Sequence, residues 1–186
     1  MKSVFQSMQL IPDAELDQLD DLITTRKLKK GELLLKENQV CNEIVFIKKG
    51  ILRSYFFNHQ ANEITNCFAF ENEFMASLSS FITQEAAEEN IQALVETELE
   101  VINRESLEKL YKLGSYWQEI GRKLTELEYI ILQKRMISFQ KLSGTQRYEE
   151  LYKNHQNYLQ LIPLQYLASY LGITPRHSSR IRKAIL

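Results

Sequence analysis

Cysteine, histidine, proline and glycine are all scarce in this chain: two Cys, three His, three Pro and six Gly among 186 residues. Cys41 and Cys67 are too few and too far apart for a Cys-x-x-Cys metal or redox motif, and read as reduced thiols of a cytosolic protein. An iron–sulfur cluster is therefore not expected. His59, His155 and His177 lie apart and none sits in a His-x-His or His-Glu-x-x-His setting, and no Gly-x-Ser-x-Gly occurs. Metal-assisted and nucleophilic hydrolysis both lack parts, so no enzyme is expected. A cupin-type enzyme would need clustered His and Glu ligands that His59 alone does not supply. Glu71, Glu85, Glu88 and Glu89 read as a solvated loop rather than as paired catalytic acids. Long apolar runs are missing too: Ile44–Ile47 and Tyr129–Leu132 are four residues each, against the ~20 of a membrane helix. The N-terminus lacks the apolar stretch of a signal peptide. These absences point to a soluble cytoplasmic protein with no membrane partner.

What remains is an ordinary globular composition, 44% apolar and 25% charged, in a chain long enough to bury ~70% of its unfolded surface. The net charge of −1 conceals an asymmetry. Residues 1–114 carry twelve cations against nineteen acids, net −7; residues 115–141 carry five against three, net +2; residues 142–186 carry six against two, net +4. After Glu150 there is no acid at all. A basic end on an acidic body suits a segment facing a polyanion, with the acidic body discouraging contact by any other face.

Three segments follow from the patterning. Residues 1–114 open with a helix pattern over Asp13–Ile23 and then read mostly as strand: Glu32–Lys36, Glu43–Lys48, Leu52–Phe57, Glu63–Phe70 and Ile91–Ile102. Lys49-Gly50 and Asn58–Asn62 read as hairpin turns. Many short strands at near-regular spacing predict an antiparallel β jelly roll or barrel. Residues 115–141 read as one long helix, with Trp117, Ile120, Leu124, Leu127 and Ile131 spaced three and four apart as in a coiled-coil seam. Tyr116, Tyr129, Ile130, Leu132 and Met136 form a second apolar face. One face can pack on the barrel while the other meets a partner helix, so the segment reads as a dimerisation helix. The fold class is α+β.

Residues 142–186 read as helical. Pro163 suits the first turn of a helix carrying Leu164, Leu167, Ala168 and Leu171, which Gly172 ends. Thr174-Pro175 is a capping hydroxyl followed by a Pro at the first helical position, so a second helix starts almost at once. This is a helix-turn-helix pattern. On a helical wheel with Arg176 at zero, Arg180 and Lys183 fall within about 40° of it, while Ser178, Ile181 and Ile185 fall between about 140° and 200°. Arg176, Ser179 and Arg180, with Thr174 at the start, are placed to reach base edges in a major groove, and Arg182 and Lys183 to meet phosphates.

Leu167–Pro175 together with Ser179–Lys183 resembles the helix-turn-helix of the Crp/Fnr family of bacterial transcription regulators. Lys30–Leu34, Ile44–Gly50 and Leu52–Tyr55 are similar to the opening strands of that family's cyclic-nucleotide-binding jelly roll. The resemblance implies a sensor roll over 1–114, a homodimer joined along 115–141, a DNA-binding domain over 142–186, and base contacts at Arg176 and Arg180. Its partners would be double-stranded DNA, a second copy, RNA polymerase and a small-molecule effector. Three departures bear on this. The family's nucleotide sensors carry Gly-Glu-Leu and, further on, an Arg followed by Ser or Thr; here Ala76-Ser77-Leu78 and Glu88-Glu89 fall near those places. A phosphate beside two carboxylates is repelled, so cyclic AMP is not expected to bind tightly, and no heme ligand pattern is evident; no cofactor is expected. Ser178 stands where the family usually has Leu or Val, so Ser178→Leu is expected to raise the melting temperature. The chain also stops at Leu186, so the family's two-stranded wing reads as absent or truncated. The competing reading is a small-ligand sensor or scaffold whose degenerate helix-turn-helix no longer binds DNA.

Overall fold

The computed structural model describes residues 1–185, with side chains for all of these except Asp13, Ala14 and Ile185. Two four-stranded antiparallel sheets face each other as a jelly roll. The strands are β1 (Ile23–Leu28), β2 (Leu33–Leu35), β3 (Glu43–Lys49), β4 (Leu52–Phe57), β5 (Glu63–Ala69), β6 (Phe74–Met75), β7 (Asn90–Ala93) and β8 (Thr97–Asn103). One sheet runs β1-β8-β3-β6 and the other β2-β7-β4-β5, which leaves β5 as an edge strand. Leu52, Val45, Ile47, Ile91, Leu99 and Val101 meet between them as the roll's core. Gly50 turns β3 into β4 at φ +113°, and a Cβ there would stand 2.4 Å from Thr97 Oγ1, so only glycine lets this turn lie against β8. At the other hairpin, Asn58 Oδ1 accepts from the backbone N–H groups of Gln60 and Asn62.

Several elements differ from the sequence reading. The run over Ile91–Ile102 is two strands, because Leu94–Glu96 carries the chain from one sheet to the other. The helix pattern over Asp13–Ile23 yields only α2 (Asp13–Leu16) and a 3₁₀ turn at Asp17–Leu19, after which Ile23 begins a strand paired to Ile102. Three further helices escape the patterning: α1 (Lys2–Ser7), α3 (Leu78–Thr83) and α4 (Arg104–Leu113).

α5 (Ser115–Lys141) is a single helix about 40 Å long. Its first turns are sealed to its own roll: Trp117 and Ile120 are buried with Met1, Phe5, Phe46 and Leu110, and Leu124 packs beside them. Beyond that point the helix stands largely clear. The remaining helices are α6 (Gly144–Leu159), α7 (Leu164–Leu171) and α8 (Pro175–Ile185). Ser143 and Gln146 close a capping box on α6. Gly172, at φ +63°, ends α7 in the left-handed region.

Candidate nucleic-acid interface and effector cassette

α7 and α8 are joined by Gly172–Thr174 alone. Pro163 caps α7 rather than opening its first turn, since its ψ of 137° is extended. The Thr174 hydroxyl accepts from the His177 N–H at 3.2 Å, fixing the start of α8, and Pro175 follows as its first residue. Two arginines set the pose of the pair. Arg147 of α6 donates from Nε and Nη2 to the Leu171 carbonyl at 3.0 and 2.8 Å, satisfying the end of α7. Arg135 of α5 lies 3.9 Å over the Tyr170 ring and donates to the Tyr170 carbonyl at 3.2 Å.

α8 segregates its side chains. Ile181 is buried and Ser178 is 0% exposed, whereas Arg176, Arg180 and Lys183 are exposed, and Ser179 and Arg182 are half-buried. The apolar residue expected beside them, Ile185, lies outside the described side chains. Ser178 Oγ is buried without a hydrogen-bond partner, a cost within the helix-pair core. The cationic stripe has no acid of α8 beside it, so its field is not offset from within the helix.

The helix-turn-helix does not hang free of the roll. α7 lies along β5, and Ser169 Oγ accepts from the Thr65 N–H at 2.9 Å while donating to the Glu63 carbonyl at 3.4 Å. An otherwise open sheet edge is thereby covered. Arg53 of β4 is 0% exposed, its guanidinium held between the rings of Tyr55 at 4.0 Å and Tyr166 at 3.5 Å. It donates to Glu63 at 2.7 Å and Gln92 at 3.0 Å. The Tyr170 ring meets Phe68, and His155 stacks on Phe70 with ring centroids 4.0 Å apart. His155 itself sits at a kink in α6, with φ −138° and ψ 34°. Burial holds its imidazole below the usual histidine range, against the opposing pull of Glu73. Patterning gave no sign of Arg53, Tyr166 or Ser169 as contact residues. The one legible signal is Arg53 itself, a lone cation in the mostly apolar run of β4.

The residues expected to form an effector pocket do not converge. Ala76 lines a cleft of about 160 Å³ with Leu34, Cys41 and Ile91, below the ~300 Å³ at which ligand pockets usually begin. Ser77 is buried at the start of α3, and Glu88 points outward. Glu89 alone turns toward the roll, where Ser54 Oγ donates to its carboxylate and Asn66 Nδ2 approaches the same oxygen at 3.5 Å. The expected two-carboxylate wall is thus a single tethered one. Burial pushes the Cys67 thiol up to about 12, with Glu89 adding to the effect, and burial also raises Cys41. Neither sulfur is a thiolate near neutral pH.

The proposed seam splits likewise. Trp117, Ile120 and Leu124 serve the chain's own core, while Leu127 is 50% and Ile131 56% exposed. A second copy therefore has only the later part of the stripe to meet, where Ile130 and Ile137 are also exposed.

Residues 25–113 match the family model described as "Cyclic nucleotide-binding domain". With the long helix and helix-turn-helix that follow, the whole chain has the fold of the Crp/Fnr transcriptional regulators. FixK2 from Bradyrhizobium japonicum superposes with a TM-score of 0.77 at 16% identity, over 88% of this chain and 84% of that one. A Crp/Fnr-family protein from Eubacterium rectale gives 0.70 at 19%, over 96% and 85%. The Catabolite Activator Protein of Thermus thermophilus gives 0.59 at 16%, over 94% and 84%. No curated protein sequence matches the chain. Among the described residues, no helix is long and apolar enough to cross a membrane.

Proposed function

We propose that this chain is a homodimeric, sequence-specific DNA-binding transcriptional regulator of the Crp/Fnr type, working in the cytoplasm without a catalytic step. One observation carries the reading: Arg176 and Arg180 stand exposed on the side of α8 opposite buried Ser178 and Ile181. Their planar forks can each pair with both major-groove acceptors of guanine. Arg182 and Lys183 supply phosphate contacts, which set affinity and its salt dependence. Leu127 and Ile131 join two copies so that both recognition helices enter successive major grooves of a roughly palindromic site. RNA polymerase is the partner such a bound dimer would address.

Among proteins of this fold, one from Xanthomonas campestris is described as c-di-GMP responsive. In this chain Ala76, Ser77 and Glu89 offer no cation to a cyclic phosphate, and Glu89 offers an anion. Cyclic AMP is accordingly not a tight ligand, and an effector that does bind shifts the population between dimer geometries.

The test is a mobility-shift assay on the DNA flanking the protein's own gene at two salt concentrations. Specific retardation that weakens steeply with salt, and is lost in Arg176→Ala/Arg180→Ala, supports the regulator. Absence of any shift, or a double variant that binds like wild type, supports the scaffold reading instead.

A further inference from the structure

Two of the contacts described above meet on one two-stranded ribbon. Between the pairs Ser54↔Cys67 and Tyr55↔Thr65 the register of β4 and β5 slips, leaving Asn66 as an extra residue on β5. On one side of the slip, Ser54 and Asn66 hold the carboxylate of Glu89. Next to them, the Arg53 guanidinium stacks on Tyr55 and on Tyr166, and the Thr65 N–H is held by Ser169 Oγ of α7. Each residue that holds Glu89 is thus the covalent neighbour of one that holds the helix-turn-helix. Successive residues of a strand point to opposite faces, so a change of register at the bulge turns both sets together.

We infer that the β4–β5 bulge couples the cassette to the helix-turn-helix, and that Glu89 acts as a tethered ligand whose seating on Ser54 and Asn66 keeps α7 docked on β5. The carboxylate supplies acceptors to two donors that a bound anion would otherwise meet. Losing it frees the bulge to change register, and α7 then loses the edge N–H on which Ser169 sits. The Arg53 guanidinium adds to the sensitivity of the joint, because two of its nitrogens are buried without partners and its stacking on Tyr166 is what offsets that cost. This inference rests on reading the roll as a sensor domain and gives that sensor a default, self-occupied state.

The experiment is amide hydrogen exchange by NMR on the full-length protein, free of DNA, so that its outcome is separate from that of any DNA-binding assay. In Glu89→Ala, exchange at Thr65 accelerates by about tenfold, within the usual range of coupling between sites. In Glu89→Gln, which keeps an acceptor oxygen, Thr65 stays near the wild-type rate. Coupling is reciprocal, so Ser169→Ala shifts the side-chain amide resonance of Asn66, and this arm stands by itself should Glu89→Ala fail to fold. A Thr65 rate unchanged in folded Glu89→Ala, or an Asn66 resonance unmoved in Ser169→Ala, overturns the inference.

Discussion

Replacing Ser178 with alanine removes a hydroxyl that is 0% exposed and bonded to nothing. An unpaired buried polar group costs about 1–3 kcal/mol in proteins. The void left by one oxygen, near 10 Å³, returns only a few tenths of a kcal/mol at about 24 cal/mol per Å³. The first effect wins, and Ser178→Ala stabilises the helix pair by roughly 1 kcal/mol, which raises the melting temperature by about 2–4 °C for a chain of this size. Leucine, favoured by the sequence pattern, also removes the hydroxyl but adds bulk where no surface is free. Overpacking costs about 1–3 kcal/mol, so its gain falls short of alanine's. Differential scanning calorimetry on the three proteins measures both. DNA affinity should not change, since Ser178 faces away from Arg176 and Arg180. A melting temperature unmoved or lowered in Ser178→Ala would show that the hydroxyl has a partner, and with it that the orientation of α8 is wrong.

Leu127→Glu or Ile131→Glu should turn a dimer into a monomer by sedimentation velocity without lowering the melting temperature of the roll, because both side chains are half exposed in the single chain. Trp117→Ala, on the same stripe but inside the chain's own core, should instead cost about 3–5 kcal/mol of stability. Gly50→Ala should destabilise by at least about 1–3 kcal/mol, since its Cβ would enter Thr97 at a φ of +113°; thermal unfolding reads this directly. For His155, burial depresses the folded pKa below the ordinary value. The stability it contributes is therefore complete above about pH 6.5 and drains away as the pH falls through the folded pKa. The melting temperature should drop between pH 7 and pH 5, and drop less in His155→Phe; equal slopes in the two proteins would exclude this role.

The parts that patterning revealed are those written in local periodicity. The strands around Val45, Leu52 and Cys67 alternate or run apolar, and α7–α8 carries its punctuation in Pro163, Gly172 and Thr174-Pro175. Patterning failed where tertiary context decides. β7 and β8 look like one strand because nothing local marks the passage between sheets at Leu94–Glu96. β1 is disguised by Thr24, Thr25, Arg26 and Lys27, all exposed in a strand anchored by Ile23 and Leu28. Trp117 and Ile120 continue the spacing of Leu127 and Ile131, and spacing does not distinguish a helix packing on its own roll from one awaiting a partner. Arg53, Tyr166 and Ser169 are far apart in sequence, so the docking of α7 on β5 was invisible. Glu88 and Glu89 are adjacent, yet only Glu89 turns inward.

The most direct test of the central claim is a dimethyl sulfate protection footprint, which reads guanine N7 in the major groove, of the protein on DNA it retards. Two protected major-groove patches about 10–10.5 base pairs apart, related by a dyad and both lost in Arg176→Ala/Arg180→Ala, are the predicted result. A single patch, or two patches that survive the double substitution, would contradict it.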